Sequence, residues 1–161
     1  MLFRSIQNLF LMAILAGLSA TAHADKYVKM PKCEPLKPKL EMIKESFDES
    51  NDWELKLDSA KEKRTKLNSA CADYQADPTE PKLREFQKCR DEYIQASNFL
   101  KEKTTIVKKK LADSKKGLEF LKDKTTCKED LKTGENKVKE EYDNEVLASG
   151  STCRPSTAAQ R

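Results

Sequence analysis

Four of the five cysteines in this 161-residue chain are spaced symmetrically about one point. Cys33 and Cys71 are 38 residues apart, as are Cys89 and Cys127, so the position numbers of Cys33 with Cys127 and of Cys71 with Cys89 both add to 160. Two antiparallel helices that fold back near residue 80 would bring the members of each pair together. The spacing therefore predicts a helical hairpin with one disulfide, Cys71–Cys89, near its tip and another, Cys33–Cys127, near its base.

The first 24 residues have the pattern of an export signal. Arg4 supplies a short basic region, residues 9–18 are largely apolar, and Ala22-His23-Ala24 fits an A-x-A cleavage site. The alternative is an uncleaved membrane anchor, for which the apolar run is short. We therefore predict that residues 1–24 form a signal peptide that is removed, and that the product is soluble and periplasmic or secreted.

The predicted mature chain keeps all five cysteines but no histidine, because the only histidine lies in the signal. In an oxidising compartment such cysteines favour disulfides over metal ligation. Without histidine the mature chain can form no Ser–His–Asp triad, Cys–His pair or imidazole zinc site. The sequence also lacks P-loop, G-x-S-x-G, G-x-G-x-x-G and C-x-x-C motifs. We expect a protein that is not an enzyme, with no catalytic residues, no metal and no cofactor.

Apolar residues recur at steps of three and four along most of the chain, as an α-helix requires. One stripe runs from Leu36 to Tyr74 and is interrupted at Arg64, which predicts a first helix over about 36–75. Prolines and polar residues over 75–81 predict the turn.

A second stripe predicts a helix that begins near Pro81 and extends to Leu121. Thr126 and Glu129 have the spacing of a capping box and predict the start of a third, shorter helix that ends near Ala148. The sequence leaves open whether this helix folds back on the hairpin or continues the second helix with a kink.

The composition is 36% charged and 7% aromatic, which fits long, solvent-exposed helices better than a compact globule. Disorder is the alternative reading of a mean hydropathy of −0.79. We predict an all-α fold, a long antiparallel coiled-coil-like hairpin with a third helix, stapled by two disulfides. It divides into an extended segment 25–35, the hairpin with its third helix over 36–148, and a flexible tail 149–161.

Charge supports the proposed register. Residues 36–59 carry a net charge of −3, whereas residues 101–124, their predicted partner, carry +5. Each exposed pair contributes only a few tenths of a kcal/mol, but together they favour this alignment.

Cys153 is the cysteine left over by the symmetric pairing. An odd cysteine in a secreted protein suggests an intermolecular bridge or a reactive thiol, so we expect a covalent homodimer or a mixed disulfide with a partner. Another pairing, for instance Cys127–Cys153 with Cys33 unpaired, remains open.

Five lysines form a basic stretch on the second helix, and they could contact an anionic envelope surface or an acidic partner. A solvated face that pairs with the first helix is the plainer interpretation. Nucleic acid is not expected, because the compartment is wrong and aromatic residues are not interleaved with the basic ones. The five are Lys108, Lys109, Lys110, Lys115 and Lys116.

Four aromatic residues, Phe47, Trp53, Phe99 and Phe120, lie at or beside the apolar stripes, where core packing is the usual role. A hairpin only two helices wide would leave part of each stripe exposed, and exposed apolar surface implies a partner, a second copy or a client. We therefore predict a non-catalytic interaction or scaffold protein that acts by protein–protein binding. The alternatives are a periplasmic holdase chaperone and, more weakly, a small secreted inhibitor or virulence factor. The architecture is similar in outline to the helical arms of known periplasmic chaperones, but the L-T-x-x-Q pattern of one such group is missing.

Overall fold

The computed structural model describes residues 27–121 and 126–153, and within these ranges it contains three α-helices and no strand. Helix α1 spans Glu41–Ala76, α2 spans Glu80–Gly117 and α3 spans Cys127–Gly150. Helices α1 and α2 pack along their length as an antiparallel hairpin, and α3 folds back mainly against α2. The predicted all-α hairpin with a shorter third helix and two disulfides is confirmed.

Short 3₁₀ turns, Glu34–Leu36 and Leu118–Phe120, lie before α1 and after α2. The predicted signal peptide, residues 1–24, lies outside the described ranges. Within those ranges no helix combines the length and apolarity that a membrane span needs.

The hairpin turn is set by proline. Asp77 precedes Pro78 and is extended, with φ −149° and ψ 90°, because a residue before proline is biased away from the helical region. Thr79 is also extended, and α2 then begins at Glu80 with Pro81 in its first turn, where a missing amide hydrogen has no cost. The connection is thus shorter than the predicted turn over 75–81.

Direct contacts fix the register of the hairpin. The hydroxyls of Ser46 and Ser114 lie 2.7 Å apart, and the rings of Tyr74 and Phe86 stack with centroids 6.4 Å apart. In both pairs the position numbers add to 160, as the cysteine spacing predicted. The alignment therefore holds from one end of the hairpin to the other.

The predicted charge pairing is also confirmed. Lys103 bridges Glu49 at 3.0 Å and Asp52 at 2.6 Å, and Lys110 pairs with Glu45. These ion pairs join the acidic half of α1 to the basic half of α2. Hydrogen bonds to Asp52 and Glu49 raise the pKa of Lys103 above its usual range.

The core divides into two buried clusters. The larger occupies the base and middle of the bundle, where Trp53, Leu57 and Leu131 are fully buried. The indole of Trp53 donates a hydrogen bond to the hydroxyl of Thr104 at 2.9 Å, so its polar atom is satisfied. The smaller cluster lies at the tip around Leu67, and Tyr74 and Phe86 belong to it.

A polar layer separates the two clusters, at the position where Arg64 interrupts the α1 stripe. The Arg64 Nε lies 2.9 Å from Oε1 of Glu145, a carboxylate of α3 whose side chain is only 5% exposed. The hydroxyl of Tyr93 donates to the same oxygen at 3.4 Å. The interruption in the stripe is thus one of the points at which α3 is attached to α1.

Residues 27–33 lie between α1 and α3 and form what we call the strap. The amides of Tyr27 and Val28 donate to Oε1 of the buried Glu54 at 3.2 and 2.9 Å. Val28 also approaches α3, because a Cβ at Gly134 would lie 3.1 Å from its Cγ1. Residues 27–33 of the predicted extended segment 25–35 are therefore packed into the core and fill the space between two helices that barely touch each other.

The base disulfide, Cys33–Cys127, is as predicted, with the two Cα atoms 4.5 Å apart. The predicted tip disulfide Cys71–Cys89 is wrong, because Cys71 bonds to Cys153, with Cα atoms 5.9 Å apart. The free thiol is Cys89, which is buried. Cys153 is therefore not the unpaired cysteine, and in this structure it is not available for an intermolecular bridge.

The physical reason for this pairing is the return of α3. A 24-residue helix rises about 36 Å, which carries the chain from the base of the bundle to its tip. Residues 151–153 then reach α1, where the backbone amide of Cys153 donates to Asn68 at 3.1 Å. The first residues of the predicted flexible tail 149–161 are thus bonded into the tip, whereas residues 154–161 lie outside the described ranges. The two disulfides fit an oxidising, non-cytoplasmic compartment.

The third helix begins at Cys127, as predicted, but the capping box does not form. Thr126 makes no side-chain capping bond and has helical dihedrals, φ −57° and ψ −17°. An N-cap hydroxyl reaches the helix amides only from a non-helical backbone. The sequence pattern therefore located the start of the helix correctly, although the capping bond that it predicted is not what starts the helix.

Candidate binding surface

One face of the hairpin is covered by neither α3 nor the strap. It carries a shallow groove whose lining comes only from α1 and α2, and we call it the hairpin groove. Leu55 is 66% exposed and Phe99 is 49% exposed, and Ala96 lies between the helices beside them. The two large apolar side chains occupy the outward positions of helices whose opposite sides are buried in the core. The remaining lining residues are polar: Lys56, Ser59, Lys63, Glu92 and Gln95.

Ion pairs border the apolar centre of the groove. Lys63 of α1 lies 2.5 Å from Glu92 of α2, and both side chains are about one-third exposed. The hydrogen bond from Lys63 lowers the pKa of Glu92 below its usual range. Lys56 contacts Asp52 of its own helix at 3.9 Å. An apolar centre with a charged, partly exposed border has the composition of a protein-binding patch.

Two of the four aromatic residues singled out in the sequence are buried and two are exposed. Trp53 and Phe47 are buried, as the core interpretation expects. Phe99 lies in the hairpin groove, and Phe120, in the turn after α2, is 89% exposed. Two of the four are therefore exposed, but Phe99 lies beside the α2 stripe and Phe120 lies beyond α2, so neither is an uncovered part of the stripe itself.

The basic stretch does not form one patch. Lys110 pairs with Glu45 of α1, and Lys115 lies 3.1 Å from Glu135 of α3. Lys108, Lys109 and Lys116 form no ion pair with the described part of the chain. Two of the five lysines therefore hold helices together, as the plainer interpretation expects for a charged face in a bundle.

A second groove runs between α2 and α3 and brings Lys108 near residues that the sequence analysis did not single out. Lys101, Thr105, Lys139 and Tyr142 line it with Lys108, and Asp143 pairs with Lys139 at 2.6 Å. No sequence signal predicted this arrangement, because it depends on the packing angle of α3.

Sequence reasoning also missed the hairpin groove itself. Leu55 lies two residues from each of two buried α1 positions, Trp53 and Leu57, and so falls outside the stripe that marks the core. The sequence signal that could have predicted this groove is a large apolar residue outside the core stripe on each helix, namely Leu55 on α1 and Phe99 on α2. Among the described residues, no group of three or more His, Cys, Asp or Glu side chains is arranged to hold a metal ion.

Comparison with known proteins assigns no family. The chain matches no protein-family model. It also matches no curated protein and no solved structure.

Proposed function

We propose that this chain is a non-catalytic, exported interaction protein that binds a protein partner through the hairpin groove. The observation that carries the proposal is the exposure of Leu55 and Phe99, which line the same groove on a two-helix face with charged residues at its border. A backbone already ordered in helices need not be ordered again on binding, which lowers the cost in conformational entropy.

The proposed location is the periplasm or the extracellular space. The export pattern in residues 1–24 and the two disulfides support it, because disulfides persist where the surroundings are oxidising. A protein exposed to such surroundings benefits from a scaffold in which the base and tip of the bundle are both cross-linked.

The energetic contribution of the groove can be bounded. Full burial of a large apolar side chain stabilises by about 1.5–3 kcal/mol, and Leu55 and Phe99 are already partly covered. Together they can contribute roughly 2 kcal/mol to binding, which corresponds to about 30-fold in affinity. Additional contacts at the border would set specificity more than affinity.

The proposal is tested by chemical cross-linking and co-purification of the exported protein from its own compartment. A Leu55→Ser, Phe99→Ser double variant should lose the cross-linked partner, whereas a Leu147→Ser variant should keep it. Leu147 is the matched control because it is 75% exposed and lies on α3, away from the groove. Equal capture by both variants would refute the assignment of this surface.

A holdase chaperone is the second candidate, because the same exposed apolar groove would also hold unfolded chains. It predicts that the protein suppresses the aggregation of several unrelated denatured substrates at low molar ratios. A specific interaction protein should leave such aggregation unchanged. The assay therefore separates the two functions directly.

A further inference from the structure

Three cysteines meet at the tip of the hairpin. Cys71 of α1 is fully buried and forms a disulfide with Cys153, which follows α3. Cys89 of α2 is a free thiol, 8% exposed, and belongs to the same buried cluster as Cys71. Cys153 packs against that cluster. A free thiol and a disulfide thus share one apolar cluster.

The register places Cys89 opposite Cys71. Contacts at both ends of the hairpin pair residues whose numbers add to 160, namely Ser46 with Ser114 and Tyr74 with Phe86. Cys71 and Cys89 add to the same number and lie one helical turn from the stacked rings of Tyr74 and Phe86. Cys89 therefore lies across the α1–α2 interface from Cys71, within the same buried cluster.

We propose that this tip cluster is a thiol–disulfide exchange switch internal to the protein. The Cys89 thiolate attacks Sγ of Cys71, so that a Cys71–Cys89 bond forms and the Cys71–Cys153 bond breaks. Cys153 leaves as a thiolate and takes up the proton that Cys89 released. One disulfide is exchanged for another, so the step needs no oxidant or reductant.

The direction of attack follows from burial. Cys71 is enclosed between α1 and α2, whereas Cys153 is half-buried at the edge of the cluster and leaves more readily as a thiolate. The form with Cys71 bonded to Cys153 is the starting state of the switch. The exchange is independent of the proposed binding function, because none of the three cysteines lines the hairpin groove.

The consequence of the exchange is the release of the end of α3. The Cys71–Cys153 disulfide links the end of α3 covalently to α1. Without it, this end is still held to α1 by the hydrogen bond from Cys153 to Asn68 and by the ion pair between Glu145 and Arg64. The exchanged form would keep a cross-linked hairpin while its third helix can separate at the tip. Such a form differs from the starting state in shape but not in redox state.

The rate of exchange is limited by the protonation of Cys89. Burial raises the pKa of this thiol, and its hydrogen bond to Glu85, with Sγ 3.5 Å from Oε1, raises it further. Since the thiolate is the attacking species, the rate should increase about tenfold for each pH unit between pH 7 and pH 8. A Glu85→Gln variant should exchange faster at the same pH.

The test uses the purified, oxidised full-length mature chain without reductant. The protein is incubated at pH 7 and pH 8 with a thiol-alkylating reagent, and the labelled and disulfide-linked peptides are identified by mass spectrometry. Exchange predicts that the label accumulates on Cys153 while a Cys71–Cys89 peptide appears, at a rate independent of protein concentration. Label on Cys89 alone, with the Cys71–Cys153 bridge intact at both pH values, would overturn the proposal.

Two variants separate the proposal from slow local unfolding. In Cys89→Ser the label on Cys153 should be lost, whereas equal labelling of Cys153 would show that the bridge opens without Cys89. In Cys153→Ser, checked for helix content, oxidation should join Cys71 to Cys89. If the thiols of Cys71 and Cys89 stayed free in this variant while Cys33–Cys127 formed, the two cysteines would not be close enough to bond, which would contradict the proposal.

Discussion

The ion pair between Arg64 and Glu145 should be the most sensitive polar contact in the bundle. It joins α1 to α3 between the two core clusters, with Nε and Oε1 2.9 Å apart. The side chain of Glu145 is 5% exposed, and its second oxygen, Oε2, is buried without a hydrogen-bond partner in the described part of the chain. The carboxylate therefore depends on Arg64 for most of its compensation.

Replacement of Arg64 by Met should destabilise the protein by about 3 kcal/mol. A buried charge that loses its partner costs roughly 3–5 kcal/mol, and the lower end applies to Glu145 because Tyr93 still donates a hydrogen bond to it. For a chain of this size, that loss lowers the melting temperature by about 10 °C. The double variant Arg64→Met, Glu145→Met should recover most of the stability, since no charge is then left in the layer.

The chain supplies a matched control for this measurement. Arg84 contacts Glu80 through the same atoms at 3.0 Å, but the two side chains are 74% and 64% exposed. Arg84→Met should change the free energy of unfolding by less than about 0.5 kcal/mol, because solvent already screens the pair. Thermal unfolding followed by circular dichroism compares the variants. Equal losses for Arg64→Met and Arg84→Met, or no recovery in the double variant, would refute the argument from burial.

Three further predictions concern the strap and the groove border. Glu54→Ala removes the acceptor of the buried Val28 amide and should cost about 1–3 kcal/mol, visible as faster hydrogen exchange over the strap. Unchanged exchange would contradict the role of Glu54 in holding the strap. Gly134→Leu should destabilise by about 1–3 kcal/mol by crowding the strap, and a second change, Val28→Ala, should restore part of the loss in denaturant unfolding. Lys63→Met should return the lowered pKa of Glu92 towards the usual range of a glutamate in an NMR titration. Because the pKa of Glu92 is lowered in the folded state, the stabilisation from this pair is present above the unfolded pKa and is lost as the pH falls through the folded pKa. A pKa of Glu92 that does not change in Lys63→Met would show that Lys63 does not cause the shift.

The hairpin was predictable because its information is local and periodic. The stripes of α1 and α2 repeat over many turns, and the charges of residues 36–59 and 101–124 agree with the same alignment. Pro78 and Pro81 mark the turn, since proline restricts its own backbone and that of the residue before it. Several independent signals thus point to one register, which the structure confirms.

The position of α3 was not predictable from the same signals. Its few buried apolar residues, among them Leu131 and Val138, are spaced as in any helix, and the spacing does not show which neighbour they face. The strap adds to this ambiguity, because Val28 and Met30 occupy a space that a two-helix picture leaves to solvent. Both elements are fixed by contacts between distant parts of the chain, which have no periodic trace in the sequence.

The sequence by itself determined the two long helices, their antiparallel register and the base disulfide, because each follows from the periodicity and symmetry of one hairpin. The tertiary structure alone decided which cysteine bonds to Cys71. The mirror spacing offered Cys89, but α3 returns to the tip and delivers Cys153. Disulfide pairing depends on distances in space within about 7 Å, and a third packed element can change those distances without altering any spacing along the chain.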